Sequence, residues 1–151
     1  MLKGISRNAI AGSLAGASLA WAGLAQATTE KLTVQLSGAN EVPAEKTPGT
    51  GTATITFDSA SRIITWSVTY KGLSGPLTMA HFHGPAAAGQ NGPVAVWLTK
   101  QMGGVANPIV GQATLTADQA KQFQSGQWYV NLHTQTHPSG EIRAQILPPK
   151  S

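Results

Sequence analysis

The sequence predicts an all-β domain, an antiparallel Greek-key-type β-sandwich of about eight strands with one short helix. Three observations carry this expectation. Apolar and polar residues alternate along several short segments. Turn-forming clusters of Gly, Pro, Asn, Asp and Ser separate these segments at roughly 8–12-residue intervals. Long stretches of helical period are absent, while Gly, Thr and Val are abundant.

The first segment is set apart from this pattern. Lys3 and Arg7 begin a basic start, Asn8 to Leu24 is uncharged, and Ala25-Gln26-Ala27 forms a small-residue cleavage pattern. Residues 1–27 therefore read as a secretory signal peptide, with residues 28–151 as a single exported domain, periplasmic or secreted. The alternative, an uncleaved anchor, is disfavoured because Gly, Ala and Ser make the segment weakly apolar. No membrane span is expected after cleavage.

In chain order, Thr28 to Glu30 reads as a linker. Lys31 to Ser37 is a half-buried strand with Leu32, Val34 and Leu36 on one face. Gly38 to Gly49 reads as a loop. Gly51 to Phe57 (Ala53, Ile55 and Phe57 inward) and Ile63 to Tyr70 (Ile64, Trp66, Val68 and Tyr70 on one face) form a hairpin around Asp58–Ser61. Lys71 to Pro76 is a turn and Leu77 to His83 the fourth strand. Gly84 to Pro93 is a long Gly/Pro loop, Val94 to Thr99 a fifth strand, Gln101 to Pro108 a second loop, and Ile109 to Leu115 a sixth strand. Thr116-Ala117-Asp118-Gln119 fits a capping box and opens a short helix that Ser125-Gly126 closes. Gln127 to His133 is the seventh strand, Thr134 to Ser139 a turn, and Gly140 to Ile146 the last strand.

Composition excludes several kinds of chemistry. There is no cysteine, so neither a disulfide framework nor a thiolate site exists. No basic run supports nucleic-acid binding. The 6 Asp and Glu residues supply a carboxylate-pair enzyme poorly. There is no G-x-S-x-G nucleophile motif. Glu141 and Arg143, on either side of Ile142, are expected on the outer face of the last strand as a solvated pair, with a cross-strand ion pair or a hydrogen bond to a histidine as the alternatives.

The chemistry that remains lies in the histidines. All 4 fall in two short windows, His81 with His83 and His133 with His137. Along a strand, residues two apart share a face and lie roughly 6.5 Å apart. A His-x-His pair on one strand plus a histidine from another makes a three-nitrogen metal set with a fourth position open. Imidazole suits copper, zinc, iron and nickel. His133 shares its face with Tyr129 and Asn131, away from the apolar Trp128, Val130 and Leu132, and so points outward or into a polar pocket. His137, in the turn before Pro138, is the fourth candidate. Met79 lies on the His81 face and is a candidate soft ligand or a core thioether. The competing roles are structural: His81 and His83 lying exposed on a polar sheet face or pinning the Gly84–Pro93 loop, His133 bonding a carbonyl of the Thr134–Ser139 turn, and His137 a solvated turn residue.

Several motifs together resemble the CHRD domain family, named for the developmental regulator chordin. They are Leu36-Ser37-Gly38-Ala39-Asn40-Glu41-Val42-Pro43, Thr50-Gly51-Thr52-Ala53, Ala80-His81-Phe82-His83-Gly84-Pro85-Ala86, Trp128 to Thr134, and Pro138 to Ile146. The resemblance covers about residues 31–147. It implies a β-sandwich and, in bacteria, an exported stand-alone domain, and it implies no established activity. A second resemblance, to the copper half of copper–zinc superoxide dismutases, rests on the order of His81, His83 and His133. It implies copper as the bound metal, with zinc the other choice. A bridging histidine, the zinc-loop ligands and the disulfide of those enzymes are all missing here. The expected function is therefore a mononuclear copper-binding protein that carries, stores or delivers the ion, with a copper donor or acceptor protein as partner. A copper-only dismutase-like enzyme and a metal-free interaction domain are the alternatives.

Overall fold

The structure, a computed structural model, describes residues 27–99 and 106–149. The signal-peptide reading, up to residue 26, and the start of the Gln101–Pro108 loop lie outside them. The described residues form eight antiparallel strands and one α-helix. The strands are β1 (Thr29–Ser37), β2 (Thr50–Asp58), β3 (Ile63–Lys71), β4 (Leu77–His83), β5 (Val94–Trp97), β6 (Ile109–Thr114), β7 (Trp128–Thr134) and β8 (Ile142–Ile146). The helix α1 (Ala117–Gln124) joins β6 to β7. Most expected strand boundaries move by one or two residues. Thr29 and Glu30, read as linker, already pair with Asp58 and Phe57, and β8 begins at Ile142 rather than Gly140.

The strands follow the order β5-β4-β7-β8-β1-β2-β3-β6 in one nearly closed sheet. The pairs β3–β6 and β4–β7 are not consecutive in sequence, so crossovers link the two halves in the Greek-key manner. Those halves meet at a narrow seam, where Ser37 of β1 pairs with Arg143 of β8. They then face each other across an apolar core, and Trp66 of β3 meets Phe82 of β4 edge-on at 5.5 Å.

Alternation explains which side each strand turns inward. Ala53, Ile55, Phe57, Ile64, Val68, Ala80, Phe82, Val130, Leu132, Ile142 and Ile146 are all fully buried. Gly111 leaves room for its cross-strand partner Trp66, since a Cβ there would lie 2.5 Å from the indole. The helix starts as expected: the Thr116 hydroxyl accepts from the Gln119 N–H, and the Gln119 side chain accepts from the Thr116 N–H. Its Phe123 packs against Phe57 at 5.1 Å and Trp128 at 5.8 Å, closing one end of the core between the halves. With the apolar residues of β4 and β7 committed to this interior, their polar residues must face the other way.

Candidate metal centre

That outward face of β4 carries Met79, His81 and His83. The antiparallel register sets Met79 opposite His133, His81 opposite Asn131 and His83 opposite Tyr129. Paired residues share a face, so His133 joins the His-x-His pair although 50 residues separate His83 from it in sequence. His81 Nδ1 lies 3.2 Å from His133 Nε2. Ring centroids are 5.2 Å apart for His81–His83, 5.0 Å for His81–His133 and 5.8 Å for His83–His133. One ligating nitrogen from each of the three lies within 4.8 Å of the others, a group able to hold a metal ion.

Although it lies outside the core, this face is covered. The loop after β4 folds back, with Gly84 N–H donating to Pro93 O, and delivers the Gly92 carbonyl to His83 Nδ1 at 3.0 Å. Tyr129 stacks flat on His83 at 4.7 Å, and its hydroxyl accepts from the Gly92 N–H at 3.1 Å. On the β8 side of Tyr129, the Arg143 guanidinium lies 3.4 Å from the ring centre. It also donates to Asn91 Oδ1 and Gln90 O, tying down the tip of the same loop. The turn after β7 contributes Pro138 O, 3.0 Å from His133 Nδ1. Trp97, the β5 partner of His81, sets its ring perpendicular to the imidazole at 4.1 Å.

These contacts decide the tautomers. A carbonyl only accepts, so His83 and His133 each carry a proton on Nδ1 and leave an Nε2 lone pair. In the metal-free protein His81 Nδ1–H donates to the His133 lone pair. The Nε2 atoms of His81 and His83 are buried and have no hydrogen-bond partner.

Burial also holds the imidazoles neutral. It pushes His81 down to about 4, helped by His133 and His83. Burial lowers His83, against the pull of the Gly92 carbonyl, and Arg143 adds to the lowering. His133 is likewise lowered by burial, opposed by the Pro138 carbonyl. As pH falls below the ordinary histidine value of ~6.5, the unfolded chain takes up protons that the folded chain refuses. The metal-free protein should therefore lose stability progressively as pH falls from ~6.5 toward about 4. An NMR titration of the His81 ring checks this; a midpoint at the ordinary histidine value contradicts it.

The sequence-predicted residues divide clearly. His81, His83 and His133 are brought together; His83 also pins the loop and His133 bonds the turn, whereas His81 bonds His133 and not the loop. His137 turns elsewhere, with Nδ1 3.3 Å from Glu45 Oε2. Met79 is half-buried beside the cluster, across from His133.

The expected solvated pair of Glu141 and Arg143 is corrected. Both are buried, at 0% and 2% exposure, and they serve different networks. The outer face of β8 lies beneath loops from three other parts of the chain, which alternation within the strand does not reveal. Glu141 accepts from Ser74 N–H (2.7 Å), Ser74 Oγ (3.0 Å), Thr134 Oγ1 (2.7 Å) and the Thr47 hydroxyl. Glu41, read as part of a loop, is buried too and bonds Asn131; burial raises it to about 7. Gly140, at φ +133°, passes directly beneath this pair, and a Cβ there would meet both side chains. Trp97 carried no signal in the sequence, because its placement depends on which residue of β4 it faces.

A comparison with protein-family models matches residues 32–146 to the CHRD domain. No curated protein and no solved structure matches the chain. Among the described residues no helix is long and apolar enough to cross a membrane.

Proposed function

The chain belongs to the CHRD domain family, and from that premise we propose that it is an exported protein holding a single copper ion at His81, His83 and His133, for carriage, storage or delivery. One observation carries the reading. Three buried imidazoles converge: carbonyls hold the Nδ1 atoms of His83 and His133, His81 Nδ1 lies against His133 Nε2, and the Nε2 atoms of His81 and His83 have no hydrogen-bond partner. Unsatisfied buried polar atoms are costly, and a metal ion would satisfy the Nε2 of His83.

The spacing supports the same reading. Two nitrogens bound to one ion at ~2.0–2.1 Å in tetrahedral geometry lie about 3.3 Å apart. The His81 Nδ1 to His133 Nε2 separation is 3.2 Å. An ion would take the place of the proton shared between them, and that proton would move to His81 Nε2 or leave. The donor set is nitrogen alone, which suits copper or zinc. The carbonyls of Gly92 and Pro138 then act as the outer partners that orient the ligating rings.

The test is metal content after export. The full-length chain is expressed in a copper-supplemented bacterial host and purified from the periplasm without an affinity tag. A His81→Ala/His83→Ala variant is prepared in parallel. About one copper per chain is expected in the wild type and none in the variant. Folded, metal-free protein in both preparations would move the assignment to an interaction domain whose histidines order loops. Zinc at the same stoichiometry would keep the site and change the metal.

A further inference from the structure

We propose that this site is built for monovalent copper, with Trp97 as the side chain that keeps a fourth ligand out; the inference rests on the copper reading above. Two independent features support it.

The first is charge. The ligand group is three neutral imidazoles with no carboxylate. The cationic group acting on His83 is Arg143, across the Tyr129 ring, at 4.7 Å on the histidine side and 3.4 Å on the arginine side. All three histidines are buried, at 3, 8 and 6% exposure. The cost of removing an ion from water rises with the square of its charge, so a divalent ion costs about four times a monovalent one here. Nothing in the ligand set neutralises that charge, and Arg143 repels it.

The second is access. Trp97 sits on β5, the edge strand of the sheet, directly across from His81. It is 40% exposed, whereas His81 and Tyr129 are each 3% exposed. Among the described aromatic rings touching the cluster, Trp97 is the one that faces solvent. Divalent copper seeks a square or tetragonal ligand set, which requires water here beyond the three nitrogens. A perpendicular indole against His81 opposes that entry. It also slows loss of the electron, in which bound Cu(I) passes one electron to dioxygen and yields Cu(II) and superoxide.

The experiment uses the full-length exported protein, stripped of metal, with Trp97→Ala and Trp97→Phe. Cu(I) affinity is measured anaerobically against bicinchoninate, and Cu(II) affinity against a chelating competitor in air. The Cu(I)-loaded forms are then exposed to air, and Cu(II) appearance is followed by electron paramagnetic resonance. The wild type should bind Cu(I) at least about tenfold more tightly than Cu(II). Trp97→Ala should still bind about one copper per chain but oxidise about tenfold faster, with a water-coordinated spectrum. Trp97→Phe should restore slow oxidation. Tighter Cu(II) binding in the wild type, or unchanged oxidation in Trp97→Ala with copper still bound, would overturn the inference and leave the copper site standing. No copper of either valence in the wild type would remove both. Trp97 is an exposed edge residue, so Trp97→Ala should fold, and its thermal unfolding confirms that.

Discussion

Glu141→Ala should destabilise the protein by about 3 kcal/mol, the largest effect expected from any single change outside the core. The reason is the number of segments that end on this carboxylate. It accepts from Thr47 in the loop before β2, from the backbone and hydroxyl of Ser74 in the turn before β4, and from Thr134 at the end of β7. Each bond is charge-assisted and worth about 1.5–3 kcal/mol, and truncation leaves the donors facing one another. Water entering near the exposed Ser74 recovers part of the loss, which keeps the total near the lower end. Glu141→Gln keeps one acceptor oxygen and adds unwanted donors, and should fall between wild type and alanine. Burial alone would raise the Glu141 carboxyl, but the bonds from Thr47, Thr134 and Ser74 outweigh it and hold the group below the usual carboxylate range. Its stabilisation is therefore present above the ordinary carboxylate value and is lost as pH falls through the lowered one. Urea unfolding of the three proteins at neutral and acid pH tests all of this. A loss below about 0.5 kcal/mol for alanine at neutral pH would sink the account. The same change should loosen the turn that presents Pro138 O to His133, so metal retention should weaken with it.

Saturating copper should raise the wild-type melting temperature by roughly 10 °C or more, and His133→Ala should abolish most of that rise. A ligand that binds only the folded state stabilises it by about 4 kcal/mol at a thousandfold excess over its dissociation constant. The unfolded chain cannot reproduce the site, because His81 and His83 meet His133 only through β4–β7 pairing. Isolated histidines in the unfolded chain bind copper weakly and reduce the shift somewhat. His133→Ala removes the nitrogen 3.2 Å from His81 and leaves two ligands on one strand. Differential scanning calorimetry with and without copper, on both proteins, gives the result. An equal rise in the variant would place the binding elsewhere.

The two predictions differ in how far the sequence foresaw them. That His81 and His83 share a face followed from a period of two and needed no structure. That His133 faces outward followed from its alternation with Leu132 and Val130. What joined them was the register of β4 against β7, and a slip of one residue would have turned His133 into the core. Glu141 read as an outward, solvated residue because alternation gives the direction of a side chain and not what lies above it. Loops from three other parts of the chain cover that face, and each arrives through a contact far away in sequence, such as Thr47 to Glu141 or Gln90 to Arg143.

The sequence by itself determined the all-β class, the strand faces, the capped helix at Thr116 and the two histidine windows from which a metal set could be drawn, with His137 set apart from it only by the structure. Those depend on neighbouring residues, and local periodicity and turn chemistry are written in consecutive positions. Only the tertiary structure decided which strands pair, which carbonyls lock the imidazole tautomers, that Trp97 stands against His81, and that Glu141 and Arg143 are buried. These are long-range contacts between segments whose own patterns do not name their partners, and the closing of the sheet with its covering loops selects them.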